Sequence, residues 1–74
     1  MQRYKNLNGR SGIVAFEIGD DCVKIVFRDN PKVYLYSTRK IPPQKIERMK
    51  QLATAGRGLA TFISRNPDVR DGYS

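Results

Sequence analysis

Apolar residues recur with a period of two in the first half of the chain and with a period near 3.6 in the second. Over residues 12–18, Val14, Phe16 and Ile18 fall on one face and Ile13, Ala15 and Glu17 on the other, which predicts a strand. Gly19-Asp20-Asp21 is turn material. Residues 22–28 alternate more cleanly, with Val23, Ile25 and Phe27 opposite Lys24, Val26 and Arg28. Asp29-Asn30-Pro31 marks a second turn, and residues 32–37 a third strand, with Tyr34 and Tyr36 opposite Val33 and Leu35. Turns this short join antiparallel neighbours, so the three strands should form a meander.

The period then changes. Ile41-Pro42-Pro43 closes the strand region, and Pro43 suits the first turn of a helix, where a missing N–H costs nothing. Over residues 44–55 Ile46, Met49, Leu52 and Ala53 follow helical spacing, and Gly56 supplies a C-cap. Lys45 and Arg48 flank this stripe on one side and Lys50 on the other. From Gly58 to about residue 65 a shorter helix presents Leu59, Phe62 and Ile63, and Asn66-Pro67 stops it. The expected fold is α+β: a three-stranded antiparallel meander covered on one face by two C-terminal helices, because neither layer is stable alone. Residues 1–10 are expected to be a flexible or edge-strand arm, mostly loose, and residues 11–73 a single domain. In the tail, Val69 and Tyr73 could pack back on the sheet.

Composition narrows the function. Seventy-four residues, 39% hydrophobic, make one thin core and leave little room for a deep substrate cavity. No apolar run approaches the ~20 residues of a membrane span, and the start lacks the apolar stretch of a signal peptide, so a cytoplasmic location is expected. One cysteine, Cys22, excludes an internal disulfide. The absence of histidine argues against a zinc site and against general acid–base catalysis at neutral pH. Neither an enzyme activity nor a cofactor nor a metal is therefore expected.

The net charge of +7 is unevenly placed. Residues 1–30 hold five basic and four acidic residues; residues 31–74 hold nine basic and three acidic. The excess lies between residues 32 and 57, in a segment that would attract phosphates, anionic membranes or an acidic protein surface. Lys32, Arg39, Lys40, Lys45, Arg48 and Arg57 are its candidate phosphate contacts. The alternative is a solvated face, with Lys45, Arg48 and Lys50 snorkelling over the apolar stripe. Arg39-Lys40, beside a helix N-terminus, could hold an anion or be a plain connecting loop. Tyr34 and Tyr36, two apart on one strand face, could stack on bases if exposed, although aromatics at strand spacing more often fill a core. Gly56-Arg57-Gly58 reads most simply as the end of one helix and the start of the next.

The order of several elements resembles the KTSC domain. These are Tyr34-x-Tyr36, Ile41-Pro42, a helix ending in Ala55-Gly56, Phe62 in the next helix, and Arg70-x-x-Tyr73. The resemblance spans residues 11–73, and its parts are individually weak. Ala53-Thr54-Ala55-Gly56 departs from the Ala-Ser-x-Gly-like turn of that family, and an Asn expected after it is missing. KTSC modules occur alone in bacterial and phage proteins and at the C-terminus of some lysyl-tRNA synthetases. The resemblance therefore implies RNA in preference to DNA, and it brings no catalytic residue. The expected function is a small basic nucleic-acid-binding module. The alternative is a protein-interaction module that docks an acidic partner or pairs through a sheet edge.

Overall fold

The computed structural model describes residues 1–7, 9 and 12–73. Ser11, where the expected domain and the KTSC-like stretch begin, lies outside them, as do Asn8 and Arg10 of the expected arm. The architecture is α+β, with an antiparallel sheet of four strands in the order β1-β2-β3-β4: β1 (Gln2–Arg3), β2 (Ile13–Ile18), β3 (Cys22–Phe27) and β4 (Asn30–Ser37). Helices α1 (Pro43–Ala55), α2 (Leu59–Arg65) and α3 (Pro67–Arg70) follow.

The meander forms as expected, and the sheet gains a fourth strand at its edge. Gln2 and Arg3 pair with Phe16 and Ala15, and the Tyr4 N–H donates to the Val14 carbonyl at 2.9 Å. Tyr4 is the reason this segment docks. Its ring is 97% buried and meets Phe16 edge-on at 6.4 Å, and its hydroxyl accepts a long hydrogen bond, 3.4 Å, from the Leu59 N–H. A single buried aromatic outweighs the polar composition around it.

The facing of β2 differs from strict alternation. Ile13 and Phe16 are buried, whereas Val14 and Ile18 are exposed. Between Ile13 and Ala15 the register with β3 shifts, so Val14 is an extra residue that puts Ile13 and Phe16 on one side. The second turn is also tighter than expected. Asn30 already pairs with Phe27, and Pro31 is tolerated because β4 lies at an edge of the sheet.

One sheet face is buried by Ile13, Phe16, Val23, Ile25 and Tyr36, against Ile46, Met49 and Ala53 of α1, Leu59 and Ile63 of α2, and Val69 of α3. The other face carries Ala15, Glu17, Lys24, Val26, Val33 and Leu35, all half-buried or exposed. Helix α1 starts beside the end of β4 and finishes against the segment after β1, where the Leu7 N–H donates to the Gly56 carbonyl at 2.7 Å. Gly56 closes α1 in the left-handed region at φ 80°, and a Cβ there would stand 2.5 Å from Lys5 Cβ. Glycine is thus required twice, for its backbone and for its missing side chain.

Asn66-Pro67 ends α2 as expected. Pro67 then opens a further single turn, a third helix whose Val69 is fully buried. No helix among the described residues is long and apolar enough to cross a membrane.

Tyr4→Ala removes a core aromatic and should lower unfolding stability by about 3–5 kcal/mol. Leu7→Ala, at a residue 64% exposed, should change it by no more than about 0.5 kcal/mol. Urea denaturation of both variants measures the difference; equal, small effects would mean that the first strand is not part of the core.

Candidate nucleic-acid interface

The eight residues expected to contact nucleic acid separate into two groups. Tyr36 is 2% exposed and lies under the helices, so neither face of its ring is available to a base. Its backbone pairs with Tyr73, and the two rings lie 6.3 Å apart. Burial, reinforced by the neighbouring Tyr34 and Tyr73, pushes its phenol up to about 12. Tyr34 is half-buried. Its ring meets Phe27 edge-on at 5.2 Å and Tyr73 at 4.6 Å. Lys32 places its ammonium 5.1 Å from the centroids of both the Tyr34 and Tyr73 rings. Lys32 and Tyr34 are thereby engaged in holding the C-terminal segment against β4, a cation–π arrangement that stabilises the packing. Of the two tyrosines expected to stack, Tyr36 is therefore part of the core, and Tyr34 is half-buried and packed against Phe27 and Tyr73.

Lys45 is also occupied. It contacts both carboxylate oxygens of Asp68 at 2.7 and 2.8 Å, tying α1 to α3. That hydrogen bond is the main reason the Asp68 carboxyl titrates below its ordinary range. Lys50, on the other flank of α1, pairs with Glu47 at 2.8 Å and donates to the Asp20 carbonyl.

Arg39, Lys40, Arg48 and Arg57 are exposed, and none pairs with a carboxylate among the described residues. Arg48 makes only a 3.3 Å hydrogen bond to Gln51. Arg39 and Lys40 occupy the turn into α1. That turn is pinned by the N–H groups of Lys40 and Ile41, which donate to the Ser37 carbonyl, and by the buried Ile41 side chain. Arg57 stands between two left-handed glycines, Gly56 and Gly58, at the other end of α1. Arg48 thus lies on α1, Arg39 and Lys40 precede it and Arg57 follows it, at the two ends of a 13-residue helix, a length of ~20 Å at 1.5 Å per residue.

Three cations not singled out from the sequence, Arg3, Lys5 and Arg28, come together around a cleft of about 320 Å³, with Tyr4, Asn6, Ile13 and Val14. Counting charges over residues 1–30 conceals them, because none of the four acids of that half lines the cleft. Glu17 faces Lys24 and the N-terminal amine, Asp20 and Asp21 lie in the β2–β3 turn, and Asp29 follows Arg28 in the β3–β4 turn. No group of three or more potential metal ligands occurs among the described residues. No known protein family, curated protein or solved structure matches this chain.

Because the folded pKa of Asp68 is depressed, its stabilising effect is present above the unfolded carboxylate value and lost as pH falls through the folded one. Thermal stability should drop on acidification below the ordinary carboxylate range, and Asp68→Asn should flatten that drop. Tyr36 has the opposite sign. With its folded pKa at about 12, its contribution is complete below pH 10 and is lost as pH rises toward 12. In an ultraviolet titration of tyrosinate, Tyr36→Phe should remove the last step, which should coincide with alkaline unfolding.

Proposed function

We propose that this chain is a nucleic-acid-binding module that grips the phosphate backbone and prefers RNA. The observation that supports this most is the set of exposed cations without carboxylate partners among the described residues, on α1 and at its two ends: Arg39, Lys40, Arg48 and Arg57. A helix of ~20 Å spans about six phosphates of one strand at 3.4 Å each. Phosphate contacts fix position and carry no sequence information, and with Tyr36 buried and Tyr34 packed no base-stacking platform accompanies them. The binding is therefore read as sequence-tolerant.

The preference for RNA rests on the resemblance to the KTSC domain. The residues that carry that resemblance occupy structural positions: Tyr34, Tyr36 and Tyr73 form one aromatic cluster, Ile41 is buried, and Gly56 caps α1. They account for packing, and they leave recognition to the cations.

Fluorescence anisotropy with single-stranded RNA, duplex RNA and duplex DNA tests the proposal. Four phosphate contacts on a single strand give a slope of about −3 in log affinity against log salt, or roughly a 50-fold loss between 50 and 200 mM. Arg39→Ala/Lys40→Ala should about halve that slope. Absence of binding at low salt would overturn the reading and turn attention to an acidic protein partner or to strand pairing at the edge of β4.

A further inference from the structure

The cleft at the start of the sheet adjoins the α1 cations only where Lys5 packs beside Gly56, and its construction points to a different ligand. Arg3 and Lys5 line it from the segment around β1 and Arg28 from just after β3, and among the described residues no acidic side chain does. None of the three makes an ion pair among the described residues. Like charges gathered in a concave site repel one another and raise the local concentration of anions.

The backbone fixes all three positions. The Tyr4 N–H binds the Val14 carbonyl while its ring is buried, so Arg3, one residue earlier, projects to the other side of the sheet. The stem of Lys5 lies across Gly56, where no other residue would leave it room. The Arg28 N–H donates to the Gly12 carbonyl at 2.7 Å, holding the β3–β4 turn beside the start of β2. Val14, the extra residue in β2, forms part of the wall.

We propose that this cleft binds a phosphate monoester, with Arg3, Lys5 and Arg28 contacting its three terminal oxygens. Two guanidinium forks and an ammonium offer more donors than the two non-bridging oxygens of a phosphodiester can accept. A monoester presents three terminal oxygens and a charge near −2, which suits three cations. A volume of about 320 Å³ encloses the phosphate and the first atoms of its substituent, at the small end of ligand clefts. Among the described residues no exposed aromatic lines the cleft to receive a base, so the substituent extends into solvent. This site does not depend on whether α1 binds nucleic acid.

Calorimetric titration of the full chain at constant ionic strength separates the possible sources of the phosphate. The probes are inorganic phosphate, a nucleoside 5′-monophosphate and a 3′,5′-cyclic monophosphate. Saturable binding of the first two, with the cyclic diester weaker by about tenfold or more, is the expected result. Arg3→Gln and Arg28→Gln should each weaken monoester binding by about tenfold, while Arg48→Gln should leave it unchanged. Backbone amide shifts in the wild-type chain decide the matter even if a variant fails to fold. Shifts on addition of phosphate should centre on Arg3, Val14 and Arg28. Shifts centred on α1, equal affinity for all three probes, or no saturable binding would overturn the proposal.

Discussion

Everything in this small fold depends on one apolar interface. Val23, Ile25 and Tyr36 on the sheet meet Ile46, Met49 and Ala53 on α1, and these six residues are at most 2% exposed. The chain is too short for a second core, so each further element must find a place on this one. The first strand does so through Tyr4, α2 through Leu59 and Ile63, and α3 through Val69. No polar or charged residue is buried among the described residues, so the charge of the chain is left on the surface, where its distribution determines what the protein can attract.

That distribution separates structural cations from available ones. Lys45 and Lys50 flank the apolar stripe of α1, and both reach acidic or carbonyl oxygens on neighbouring elements. Lys32 lies over two aromatic rings. Exposed ion pairs contribute little stability on their own, typically under ~1 kcal/mol, but each removes a cation from the set that could meet a ligand. Of the other described cations, Lys24 and Arg70 pair with Glu17 and Asp71 and Arg65 stands exposed on α2, which leaves Arg39, Lys40, Arg48 and Arg57 on or at the ends of α1 and Arg3, Lys5 and Arg28 around the cleft.

The strands, both principal helices and the Gly56 cap were legible because periodicity and glycine placement are local signals. The facing of β2 was not, since a single extra residue reverses alternation and only pairing with β3 reveals it. The docking of the first strand was equally hidden: one tyrosine in a polar stretch gives no periodicity, although its ring supplies much of the burial there. For the candidate interface, Arg39, Lys40, Arg48 and Arg57 could be read from charge placement alone. The engagement of Lys45 required its partner Asp68, 23 positions away. The burial of Tyr36 required knowing which sheet face the helices cover. The cleft was the least visible, because Arg28 reaches Arg3 and Lys5 only through the pairing of strands distant in sequence.

The pairing of Tyr73 with Tyr36 has a consequence for self-association. β4 is an edge strand of eight residues, and its unpaired N–H and C=O groups are a template on which another strand can grow. Tyr73 occupies that edge at its most buried residue, and its ring, wedged beside Tyr34 and beneath Lys32, stands where an incoming strand would lie. The edge is further blunted by Pro31, which has no N–H to offer. A proline at one end and a docked tyrosine near the other confine the open backbone of this edge to residues 32–35. At this edge any added strand is thereby held to a short stretch of backbone, which limits edge-to-edge growth into fibrils.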